Sequence, residues 1–219
     1  MHMTESNTQS SEENTIKTPD EKQGLNIQGH IKIYDPETSE VYVDKHNAIH
    51  YENFSQALAK SIANRTTGFI EEMHFGNGGT SVDTTGIITY LTPNTSGDNA
   101  NLYNKTYFKS INDQSSLNLD TTRNKITISH TNGTTYSDLI VSALLDFGEP
   151  AGQQAFDNTT TVNDTFVFDE IGLFSWEGSA GTGNLLTHVI FHPVQKSLNR
   201  LIQIDYTIRI QSLTNFVDV

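Results

Sequence analysis

Three groups of residues in this sequence have types and spacings that could do chemistry. The first is "EMHFGNGGTS", Glu72 to Ser81, where Gly76, Gly78 and Gly79 follow an apolar run. Glycine-rich turns after strands cradle phosphate because their backbone N–H groups converge on an anion. A nucleotide loop of the Gly-x4-Gly-Lys-Ser/Thr type needs a lysine and a following helix, and "GNGGTSVDTTG" offers neither. The dinucleotide fingerprint fits at Gly76 and Gly78 but has Ser81 at its third glycine, with no βαβ pattern downstream. What remains is a structural turn, and the glycine density predicts positive φ at one or more of the three.

Histidines and carboxylates form the other two groups. His46 and His50 lie four apart and would share a face if a helix began early enough. His188 and His192 fall on one side of an alternating stretch, opposite Val189 and Phe191. Neither pair carries the glutamate of a His-Glu-x-x-His site or a spaced third ligand, so no metal is expected. Asp169 and Glu170 form adjacent carboxylates at the end of "NDTFVFDE", a pairing that glycoside hydrolysis would exploit only with a suitably placed second group. Tyr103, Tyr107 and the single tryptophan, Trp176, are the aromatics near loops that a sugar site would use. Asp/Asn-rich loops around Asp98 and Asp157 lack an EF-hand pattern, and no Gly-x-Ser-x-Gly elbow is present. The sequence predicts a protein that is not an enzyme and holds no cofactor.

Composition narrows the class further. The chain has 219 residues, no cysteine, and a formal charge of −13 from 13 basic and 26 acidic residues. Disulfides, zinc thiolates and cysteine nucleophiles are excluded. The acidic surplus argues against partnership with nucleic acid or an anionic membrane. The beginning, "MHMTESNTQSSEENT", has no basic-then-apolar order and does not read as a signal peptide. Residues 1–24 hold too few apolar side chains to offset the entropy of ordering, which predicts a disordered acidic arm ahead of a single domain over 25–219.

The elements that must position these residues read mainly as strands. Ile31, Ile33, Val41 and Val43 alternate with polar residues around "DPETSE", a hairpin signature. Phe54, Leu58 and Ile62 fall four apart, predicting one short amphipathic helix with Gly68 just beyond its end. "GFIEEMHF" is extended; 80–119 reads as a polar, loop-rich stretch including "LTPNTSGDNANLYN". "NKITISH" and "SDLIVSALLDFG" pair across Asn132-Gly133. "TFVFDEIGLFSW", "NLLTHVIFHPVQK" and "RLIQIDYTIRIQSL" supply three further strands, the last with Ile202 to Ile210 alternating inward. The sum is an antiparallel β-sandwich with one short helix and long loops.

Taken together, Asn47, Gly76, Gly78, Thr80, Glu170 to Phe174, Val189, Phe191, Pro193, Val194 and Lys196 resemble a pattern found in structural proteins of tailed bacteriophages. That resemblance runs from Gly29 to Leu213, and the stretch Thr85–Leu119 is poorly covered. It implies a virion component of the tail, neck, collar, baseplate or fibre-attachment type, assembled in the host cytoplasm through contacts with other virion proteins and copies of itself. It also implies a helix starting near Asn47. A capsid decoration protein and a carbohydrate-binding host-recognition module are the alternative readings. On the virion reading, Asp169, Glu170, Phe174, Asn94, Asp98 and Asp157 are the expected assembly contacts.

Overall fold

A computed structural model describes residues 24–97, 100–150 and 165–213. The predicted arm over 1–24 therefore lies almost wholly outside the described residues, as do Asp98 and Asp157. The strands are β1 (Gly24–Tyr34), β2 (Val41–His46), β3 (Ala48–Ile49), β4 (Ile70–Gly76), β5 (Thr80–Val82), β6 (Ile88–Tyr90), β7 (Lys105–Ser110), β8 (Lys125–His130), β9 (Tyr136–Leu145), β10 (Thr165–Ser175), β11 (Leu185–Ser197) and β12 (Ile202–Leu213); helix α1 spans Tyr51–Ile62.

One five-stranded sheet runs β2-β1-β12-β9-β8 and a second runs β3-β11-β10-β4-β7, with β5-β6 as a small separate ribbon. Every pairing is antiparallel. The inward set of the first sheet (Ile31, Ile33, Val141, Ile204, Tyr206, Ile208) joins that of the second (Met73, Phe75, Phe168, Ile171, Leu173, Val189) in one core. The mainly β sandwich, with a single short helix among the described residues, is thus present. The alternation in β12 is as expected: Ile202, Ile204, Tyr206 and Ile208 are buried, while the residues between them are partly or fully exposed. Each fully buried aliphatic or aromatic side chain contributes about 1.5–3 kcal/mol relative to exposure.

Local details depart from the sequence reading in three places. The helix starts at Tyr51, not near Asn47, because Ala48–Ile49 first pairs with β11. His50 caps the helix, its Nδ1 accepting the Asn53 N–H at 3.3 Å, whereas His46 stands in β2, so the two do not share a helical face. The helix stops at Ile62 with Ala63 as its C-cap, and the left-handed residue that closes it is Asn64, ahead of Gly68. Asn64 takes φ 50°, its N–H bonds Ser61 O, and the Arg65 N–H bonds Lys60 O. That is the paired-bond left-handed stop, with asparagine in the usual glycine place. The third departure is in the polar stretch after Thr80, which contains β5, β6 and β7.

Candidate functional site

β10 brings Asp169 and Glu170 beneath the glycine turn. In a regular strand adjacent side chains point to opposite faces. Here the β10–β11 register slips between Phe168 and Glu170, a bulge that turns both carboxylates toward the segment after β4. Glu170 Oε1 accepts the N–H of Gly78 (3.1 Å) and Asn104 (2.8 Å); its Oε2 accepts the N–H of Tyr103 (2.9 Å) and His188 Nε2–H (3.0 Å). Asp169 accepts the N–H groups of Gly79 (2.9 Å) and Thr80 (2.8 Å) and the Thr80 hydroxyl. Three consecutive amides, 78 to 80, therefore converge on anions. The glycine turn is an anion cradle, and its anions are the protein's own carboxylates.

The glycines serve this approach through their missing side chains. None of Gly76, Gly78 and Gly79 is among the positive-φ residues, so the expectation of a left-handed turn is corrected. A Cβ on Gly76 would lie 2.5 Å from Glu170 Oε1 and 2.6 Å from Asn104 O. On Gly78 it would lie 2.7 Å from Asn104 N, and on Gly79 3.0 Å from the Ile190 side chain. These positions need glycine because other groups occupy the space a Cβ would take.

A second buried carboxylate–histidine pair sits alongside on β4. Glu72 Oε2 accepts His74 Nε2–H at 2.7 Å, and both Glu72 oxygens take the Gly181 N–H, at 2.8 and 3.0 Å. His74 stacks on Phe174 with ring centroids 3.7 Å apart, and Phe174 packs with Leu102 and Leu185. The loop residues around 100–104 and 176–184 thus cover the outer face of the second sheet. Burial pushes the His74 imidazole down to about 4, against the opposing pull of Glu72, so it is neutral near pH 7. Its Nδ1 is buried and unpartnered. Burial also works to raise Glu170, but hydrogen bonds from His188, Asn104, Tyr103 and Gly78 outweigh it and hold the carboxyl below its ordinary value. Asp169 goes the other way, raised chiefly by burial. Two neighbouring carboxylates with opposed shifts resemble an acid–base pair, yet all four oxygens are already engaged by the chain.

These placements correct the expected contact surface. Asp169, Glu170 and Phe174 are buried within one chain and present nothing to a partner. Asn94 is half-buried and tied inward: its N–H donates to His188 Nδ1 at 2.9 Å and its Nδ2 to Asn101 O at 2.6 Å. His188 is buried against Glu170 and His192 is exposed, so that pair does not converge. Of the three loop aromatics, Tyr107 is buried in the core, which leaves Tyr103 half exposed and Trp176 partly covered. Among the described residues no three His, Asp or Glu side chains group as metal ligands.

Sequence reasoning missed Glu72 and His74, which alternate with Met73 and Phe75 and so read as an ordinary solvent face. It also missed an apolar trough of about 850 Å³ at one end of the sandwich, walled by Phe54, Leu58, Ile126, Ile128, Leu139 and Trp176. The chain matches no protein-family model, no curated protein sequence and no solved structure.

Proposed function

We propose that this protein is a non-enzymatic building block of a tailed-phage virion, an oligomerising adaptor or stabilising component at the tail, neck or baseplate. The observation that carries the reading is the closed carboxylate layer. Glu170 takes four hydrogen bonds from three backbone amides and one histidine, and Asp169 takes three more. Groups suited to general acid–base work are spent on fixing long loops to a rigid sheet. That is what an assembly protein requires, since loops presented to neighbours must hold one shape to bind without a large ordering cost. Resemblance at Glu170 to Phe174 and Val189 to Lys196 supports the phage class.

With the carboxylates buried, the contacts fall to exposed residues of the loop layer and of the outward strand faces. Interfaces of about 800 Å² per partner are within reach of such surfaces, and head-to-tail docking would close rings. Native mass spectrometry with negative-stain imaging of the purified protein tests the reading. Closed homo-oligomers of fixed copy number are expected; a monomer at all concentrations, alone and with the other virion proteins, would overturn it.

A further inference from the structure

The trough lies where the margin of the core meets the helix and residues 112–117. On the inner face of the first sheet Ile27, Ile126, Leu139 and Ile210 are only partly buried, packing against the core's margin. Helix residues Phe54 and Leu58 line it, as does Leu117, which is 45% exposed. Ile128 at the mouth is 76% exposed. Apolar concavities of this kind mark binding sites, and the question is what fills this one.

The chain leaves the described residues at three main places. Residues 151–164 do so at the far end of the sandwich, where Ile202 pairs with Leu145 and Thr165 with Ser197. The boundaries with residues 1–23 and 214–219 are at the trough end, where Gly24 pairs with Leu213 and Ile210 belongs to the trough wall. Composition separates these two. Residues 1–23 offer Met1, Met3 and Ile16 among Glu5, Glu12, Glu13, Asp20 and Glu21. Residues 214–219, "TNFVDV", offer Phe216, Val217 and Val219 with a single charged side chain, Asp218.

We propose that residues 214–219 of the chain seat in its own trough, with Phe216 as the anchor. Reach allows it: six residues span up to about 20 Å, and the tether starts three residues past Ile210, already in the wall. Asn215 is of the residue types that reverse a chain. A tether this short gives the segment a high effective concentration at the site, which favours the chain's own trough over that of a second copy. The inference is independent of the virion reading, and its test needs no assembly partner.

The protein lacks cysteine, so engineered pairs report without background. Ser61→Cys and Ser116→Cys, both at trough-lining positions, are each combined with Val217→Cys and oxidised. A disulfide within one chain, mapped by peptide mass, is expected for at least one pair. No disulfide, or one only between chains, would overturn the proposal, the second outcome assigning the trough to a neighbour's segment. Trp176 is the sole tryptophan and lines the trough, so it supplies an independent readout. Phe216→Asp should red-shift its emission and raise its quenching by acrylamide, with the far-ultraviolet circular dichroism unchanged. Identical emission and quenching in Phe216→Asp and the parent protein would also overturn it.

Discussion

The outer face of the second sheet and the end of the sandwich solve opposite problems. On the outer face, Glu72, His74, Asp169, Glu170 and His188 are polar and fully or almost fully buried. At the sandwich end, Ile128 and Leu117 are apolar and exposed. Burial of a polar group is tolerated only where its hydrogen bonds are made, so the outer face is rigid by necessity. Exposure of an aliphatic group costs the fold little but leaves surface for something else to cover. Loss of a group should therefore matter far more on the outer face than at the trough, and substitutions can break or sharpen that contrast.

The largest effect is expected from Glu170→Ala. It strands the N–H groups of Gly78, Tyr103 and Asn104 and the Nε2–H of His188. A buried donor left without an acceptor costs about 1–3 kcal/mol, and four are affected at once, so a loss above about 3 kcal/mol is expected, read by denaturant titration. Glu170→Gln keeps an acceptor oxygen and should fall between the alanine variant and the parent. A loss below about 0.5 kcal/mol for the alanine variant, the level of a surface substitution, would refute the anchoring role.

Acid should come next. His74 is held near 4 in the fold, against 6.5 in the unfolded chain. The unfolded state takes up the proton first, so the histidine's contribution lowers stability as pH drops from about 6.5 to 4 and is constant below, where protonation of carboxylates held low, Glu170 among them, lowers stability further. The histidine's full span is worth about 3 kcal/mol. Asp169, raised by burial, acts in the opposite sense. His74→Phe, which keeps the stack on Phe174, isolates the histidine and should flatten the stability profile over that window. An unchanged slope in His74→Phe would show that another group carries it.

Gly76→Ala should cost about 1–3 kcal/mol, because the added methyl meets Glu170 Oε1 and Asn104 O with no room to repack. A thermal melt reads it, and a neutral result would mean the cradle yields easily. Smallest of all, Ile128→Ser at the trough mouth should change stability by less than about 0.5 kcal/mol. A loss near that of Gly76→Ala would erase the distinction between the two regions.

How much of this was legible in the sequence follows the same division. Strand alternation in β12, the Asn132-Gly133 hairpin and the single helix could be read because period and turn chemistry are local. β5 and β6 could not, being three residues each with mostly exposed side chains. Gly76, Gly78 and Gly79 were recognisable as structural, but a glycine kept for its φ and one kept for its missing Cβ look alike in sequence. Residues far along the chain, Asn104 and Glu170 for Gly76 and Gly78 and Ile190 for Gly79, decide between them. Asp169 and Glu170 read as surface because charged pairs normally are. Their burial depends on amides from loops whose course sequence patterning does not specify.

Amide hydrogen exchange by NMR tests the central claim most directly. If the carboxylates anchor the loops, the amides of Gly78, Tyr103 and Asn104 are protected like strand amides in the parent protein. In Glu170→Ala that protection is lost at those three positions, while the β9–β12 ladder keeps its own. Rapid exchange at Gly78, Tyr103 and Asn104 in the parent, at the rate of the exposed Gly86 turn, would contradict the account.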